Sequence, residues 1–169
     1  PMARHDWAHG SMNNNFKTTI GGNTMRKLVF ALPILLLTSW AFAAGDYGTA
    51  DEAKAMLEKV VAALNADEAK ALEMFTKGEG GFKDRDLYPY CGGPDGNFSA
   101  HPSLVGKSLK DLKDKKGEPL GEIIYGTAKP GEIIEVAYSW PRPGETEPVD
   151  KVAYVVMVGE QICAVGYYK

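Results

Sequence analysis

Hydrophobic positions along the chain fall into three regimes. From Thr49 onward, Met56, Leu57, Val60, Val61 and Leu64 recur at helical spacing and make one apolar stripe. Thr49 with Glu52 three residues later is a capping box that starts this helix. Asn65-Ala66-Asp67-Glu68 repeats the cap pattern, so a second helix is expected to restart there. It runs through Leu72 and Phe75 to Lys77, with Gly78 as the C-cap.

The second regime is Asp86–Pro102, DLYPYCGGPDGNFSAHP. Two short strand-like runs, Leu87–Cys91 and Asn97–His101, flank the turn cluster Gly92–Gly96 and predict a hairpin. Ser103–Lys129 is rich in Lys, Asp and Gly. It is expected to hold a short helix near Ser108–Lys113, a turn at Asp114–Gly117, and a loop or short strand near Glu122–Tyr125. In the third regime three strands follow: Ile133–Trp140, Lys151–Val158 and Gln161–Tyr168, β-branched and aromatic. Helices first and antiparallel strands later make an α+β layout.

One further apolar stretch precedes all of these. Met25-Arg26-Lys27 is basic, Leu28–Trp40 is apolar, and Ala41-Phe42-Ala43 has the small-x-small form of a cleavage site. A secretory signal peptide over 25–43 is the expectation, with an uncleaved anchor as the alternative. A run this short falls below the roughly 20 residues of a membrane span. Residues 1–24 precede the natural start of such a signal and lack periodicity. They are set aside as an upstream extension, and His5 and His9 with them.

Removing the signal changes the charge picture. Residues 44–169 hold 21 acidic and 15 basic side chains, a net charge of −6, without a basic run. Nucleic-acid binding needs a positive footprint and is excluded. The segment has one histidine, His101, which cannot build a multi-histidine metal site. There is no glycine-rich phosphate loop, Cys-x-x-Cys, or His-Glu-x-x-His. Neither Ser99 nor Ser103, beside His101, sits in a nucleophile elbow. Neither catalysis nor a cofactor is expected.

With those residues in view, the chain resembles the single Cache domain family, type 2, a PAS-like extracytoplasmic sensor module. The matching residues begin with Asp86–Tyr90, Asp95-Gly96, Ala100-His101-Pro102 and Leu104–Lys107. They continue with Leu112–Asp114 and Gly117, Tyr138–Pro141, Lys151 before Tyr154-Val155, and Gly166-Tyr167-Tyr168. The likeness covers nearly all of Asp51–Lys169, so residues 46–169 are expected to form one ligand-binding domain. It implies a five-stranded antiparallel sheet in PAS order, a long N-terminal helical segment, and a small-molecule site between sheet and loops. No transmembrane helix or signalling domain follows Lys169. Output is therefore expected through a membrane-bound receptor or sensor kinase.

The resemblance also ranks the candidate site residues. His101, in its His-Pro position, becomes a ligand contact rather than a strand-end histidine satisfied by backbone. Tyr88 and Tyr90 share one strand face, as do Tyr138 and Trp140, and the four can line a pocket with polar tips or simply pack the core. Lys151 either supplies the positive charge for a carboxylate or is an exposed hairpin lysine. A short organic acid in the periplasm is the expected ligand. Cys91 and Cys163, two cysteines in an exported chain, pair by default; two free thiols are the alternative. PAS strand order would bring their strands together. Two other classes stay open: an interaction module without a ligand, and an exported thiol enzyme.

Overall fold

The computed structural model describes residues 45–169. The expectations for residues 1–24 and for the signal peptide at 25–43 lie outside the described residues. Three helices and five strands follow in the order α1 (Ala50–Ala66), α2 (Glu68–Lys77), β1 (Pro89–Gly92), β2 (Phe98–Ala100), α3 (Leu120–Thr127), β3 (Ile134–Pro141), β4 (Pro148–Val158) and β5 (Gln161–Tyr168). Among the described residues no helix is long and apolar enough to cross a membrane.

Both expected N-terminal helices form, with the caps the sequence carries. The Thr49 hydroxyl accepts from the Glu52 amide, and the Glu52 carboxylate accepts from the Thr49 amide. Asp67, not Asn65, caps α2: its carboxylate accepts from the Lys70 amide, and Asn65 stays inside α1. Gly78 ends α2 at φ 70°, a left-handed conformation that glycine adopts freely.

The strands form one antiparallel sheet in the order β2-β1-β5-β4-β3. β1 and β5, the first and last strands among the described residues, are thus neighbours, and in their register Cys91 faces Cys163. The two cysteines are bonded. Strand alternation then divides the domain into two cores. On one face, Cys91, Cys163, Val156 and Val165 pack under Met56, Leu57, Val60 and Phe75 of the two helices. On the other, Tyr90, Phe98, Val136, Ala153, Val155 and Ala164 meet Leu109, Leu120 and Ile124.

That second layer differs from the sequence expectation. Ser108–Lys113 is not a helix but a turn, in which the Leu109 and Lys110 amides both donate to the Gly96 carbonyl and tie the segment to the hairpin. Glu122–Tyr125 lies inside α3 rather than in a loop or strand. Ile123, Ile124 and Tyr125 favour strands, and Gly121 and Gly126 disfavour helices, so local preference pointed the wrong way. Tertiary contact overrides it. Leu120 and Ile124, one helical turn apart, bury into the second core, and the Gly121 amide donates to the Leu112 carbonyl.

A side chain at Gly121 would collide with the backbone carbonyls of Leu109 and Lys110, which cannot rotate away. Gly121→Ala is expected to cost at least about 2 kcal/mol, lowering the melting temperature by roughly 5 °C or more. Thermal denaturation followed by circular dichroism reads this directly. A wild-type melting temperature would mean that α3 does not approach the Leu109 turn so closely.

Candidate ligand-binding site

The face of the sheet away from α1 carries a line of polar tips. In the β3–β4–β5 register Tyr138 pairs with Lys151, and Lys151 with Tyr168, so three polar side chains lie side by side across the sheet. Gly166 on β5 makes the room they need. A Cβ there would stand 2.5 Å from Lys151 Cε and 3.3 Å from the Tyr138 hydroxyl.

Lys151 is not an exposed hairpin lysine; it is 1% exposed. Its ammonium sits over the rings of Tyr88 and Tyr168, 4.7 and 4.4 Å from their centroids. It donates to the Tyr168 hydroxyl at 3.3 Å and, more weakly, to the Tyr88 hydroxyl at 3.5 Å. Tyr168 can accept because its own proton goes to the Pro141 carbonyl at 2.6 Å. No carboxylate lies within ion-pair distance of Lys151 among the described residues. Burial therefore pulls its pKa from 10.5 down to about 7; Asp86 pulls it partly back, and Arg142 pushes it down again.

Around this line a small cavity opens between the sheet and the 101–127 segment. Tyr88, Tyr90, Phe98, His101, Tyr138 and Trp140 line it on one side, and Leu104, Leu109, Leu112, Leu120 and Ile124 on the other. Its volume available to the centre of a water-sized group is about 20 Å³, which as it stands holds little more than one water-sized group. Tyr88, His101, Leu104 and Trp140 also border a wider chamber of about 270 Å³, bounded further by Lys83, Arg85, Pro102, Ser103, Pro141, Arg142 and Pro143. No aspartate or glutamate lines either space.

His101 directly follows β2, with its ring packed edge-on against Phe98 and Tyr88 at centroid distances of 5.0 and 5.5 Å. Nδ1 accepts from the Ser103 amide at 3.0 Å. A neutral imidazole held this way carries its proton on Nε2, which becomes a donor. The ring is neutral at pH 7, because burial, aided by the charge on Lys151, holds its pKa down at about 4. The Tyr90 hydroxyl is buried and makes no well-formed hydrogen bond; the Tyr138 hydroxyl beside it interacts with it only weakly. An unpaired buried hydroxyl costs on the order of 1–3 kcal/mol, a cost that an arriving acceptor removes. Burial also pushes the Tyr90 and Tyr138 phenols well above their ordinary pKa, so both remain donors.

Of the six residues singled out from the sequence, five line the one cavity: Tyr88, Tyr90, His101, Tyr138 and Trp140. Lys151 stands apart from them, behind the Tyr88 ring, and its charge reaches the cavity rather than its ammonium. Sequence reasoning passed over the apolar wall from Leu104 to Ile124, because it comes from a segment that reads as solvated surface. It also passed over Arg142, hidden in a Pro-Arg-Pro turn.

The profile of the family described as Single Cache domain 2 matches residues 41–166. The chain belongs to that family. As a Cache domain it has the α+β fold of extracytoplasmic sensor modules, here a five-stranded antiparallel sheet with helices. No curated protein matches the chain. Among solved structures, a methyl-accepting chemotaxis protein from Vibrio parahaemolyticus is similar at TM-score 0.55 and 23% identity, covering 70% of this chain and 86% of that one. A periplasmic sensor domain of a chemotaxis protein gives TM-score 0.53 and 23% identity over 70% of this chain and 88% of the other. A structure described as the basis for carboxylic acid recognition by a Cache chemosensory domain gives 0.50 and 22%, over 70% and 86%. At these identities the likeness is one of fold.

Proposed function

We propose that this protein is an exported, periplasmic Cache-type sensor that binds a short carboxylate without transforming it. The observation that carries the reading is the Tyr90 hydroxyl, buried without a well-formed hydrogen bond in a cavity that has no acidic lining and a buried ammonium behind its wall. Tyr90, Tyr138 and the His101 Nε2 side all offer donors, and Lys151 adds positive potential. That combination favours an anionic acceptor over a neutral one or a cation, since hydrogen bonds to ionised groups are roughly twice as strong as neutral ones. Among the described residues no group of three or more His, Cys, Asp or Glu could hold a metal. A membrane-bound receptor or sensor kinase is the partner this role calls for. One solved relative by fold concerns carboxylic acid recognition, which supports the same ligand class.

A thermal-shift screen of the purified protein near pH 6.5 against two- to four-carbon carboxylates tests this. A ligand at 100 times its dissociation constant should stabilise the fold by about 2.7 kcal/mol, a rise of several degrees. Tyr90→Phe is the decisive variant. It should abolish the response yet leave the unliganded protein at least as stable, because it deletes an unsatisfied hydroxyl. His101→Ala should also abolish the response. If no carboxylate shifts the melting point, or Tyr90→Phe responds fully, the cavity is only core.

A further inference from the structure

Arg142, in the turn after β3, is set in an unusual way. Its guanidinium lies between two aromatic rings, 4.1 Å from the centroid of Tyr47 and 4.6 Å from that of Tyr168. The side chain is only 13% exposed, and Nε is buried without a hydrogen-bond partner. Nε forms an ion pair with the buried Asp86 carboxylate, 3.6 Å from Oδ2 and without a hydrogen bond, and the other Asp86 oxygen accepts from the Gly48 amide. A stacked, largely desolvated guanidinium is held rigid, and its planar fork suits one occupant above others, a carboxylate bound through two parallel hydrogen bonds.

Arg142 borders the wider chamber, and the other two cations there differ from it. Arg85 is already saturated: it pairs with Glu52 and Asp84 and donates to the carbonyls of Gly45 and Tyr47. Lys83 is exposed at the rim, without an ion pair among the described residues. The chamber thus has one preset fork, ion-paired to Asp86 on its Nε side, and one exposed ammonium, with no acid among its lining residues. It adjoins the inner cavity, since Tyr88, His101, Leu104 and Trp140 border both. The inner cavity as it stands holds little more than one water-sized group, so the bulk of any ligand would lie in the chamber.

We propose that the ligand is a compact dicarboxylate, one carboxylate held by the Tyr90 and His101 donors and the second by Arg142, with Lys83 guiding it in. This rests on the carboxylate-binding reading above and names the ligand class within it. The hydrophobic wall of Leu104 and Trp140 would then hold the methylenes between two charged ends.

Isothermal titration of the full protein with butyrate, malonate, succinate and glutarate, at pH 6.5 and low salt, separates the cases. At least one dicarboxylate is expected to bind about tenfold or more tightly than butyrate, as a second charged, hydrogen-bonded contact implies. Arg142→Lys keeps the charge but loses the fork, and should remove most of that preference while leaving butyrate affinity within about twofold. Lys83→Gln, at an exposed site that leaves the fold intact, should weaken only the dicarboxylates, by a few-fold and less so at high salt. Butyrate binding as tightly as every dicarboxylate, or a preference that survives both substitutions, overturns the proposal and leaves the carboxylate reading standing. If none of the four acids binds, the carboxylate reading itself fails, and the dicarboxylate proposal with it.

Discussion

Replacing both cysteines, Cys91→Ala with Cys163→Ala, is expected to lower the unfolding free energy by about 4 kcal/mol, the loop-entropy value for a closed loop of this length. The bond joins residues 72 apart in sequence, so it restrains more than half of the described domain in the unfolded state. It also sits where its loss is felt in the folded state. Both residues are 0% exposed, in the middle of the β1–β5 pairing beneath α1. At a few degrees per kcal/mol for a domain of this size, the melting temperature should fall by on the order of 10 °C. Either single alanine variant should lose about as much as the double, because the bond needs both partners. A double variant melting within two or three degrees of wild type would show that β1 and β5 hold together without the bridge. Serine at either position should be worse than alanine, since its hydroxyl would be buried with no partner in reach.

The second large effect is a pH dependence centred on Lys151. The fold depresses its pKa from 10.5 to about 7, so between those values the unfolded chain binds more protons than the folded one. Stability rises with pH wherever that holds. The cost of burying the ammonium is fully present below about pH 7 and declines as the pH climbs toward 10.5. The unliganded protein is therefore expected to gain on the order of 2–4 kcal/mol between about pH 7 and pH 10. Burial raises the phenol pKa of Tyr88, Tyr138 and Tyr168, so their ionisation works in the opposite direction only above that window. Chemical denaturation at several pH values measures the slope, and Lys151→Met should flatten it.

The same proton links to the ligand with the opposite sign. A carboxylate favours the charged lysine, so its affinity should fall above about pH 7, by up to tenfold per unit. Stability of the empty protein and affinity for the ligand would then move in opposite directions across one titration. Stability that stays flat or falls from pH 7 to 10, or a Lys151→Met variant with the wild-type slope, would refute a lysine buried in this way.

The short-range features of this chain were legible because their causes are short-range. The Thr49–Glu52 box and the left-handed Gly78 each depend on groups within a few residues, so the two helices could be placed closely, although the second cap fell on Asp67 two residues beyond Asn65. The strands of the C-terminal meander were equally plain, because β-branched and aromatic runs have few alternatives. The sheet order came from resemblance and the Cys91–Cys163 pairing from two cysteines in a chain read as exported, and the structure bears both out.

What sequence alone did not determine is where long-range contact overrides local preference. Glu122–Tyr125 favours a strand and became a helix, because Leu120 and Ile124 bury only in that form and Gly121 admits the Leu109 turn. That choice decided the floor of the cavity. The position of Lys151 behind Tyr88 was likewise beyond reach, since it depends on Gly166, a residue two strand positions from the end of a neighbouring strand. Arg142 is the clearest case. Nothing in Pro-Arg-Pro marks its arginine, and only the meeting of Tyr47, Tyr168 and Asp86, from three distant parts of the chain, turns it into a desolvated fork beside the chamber.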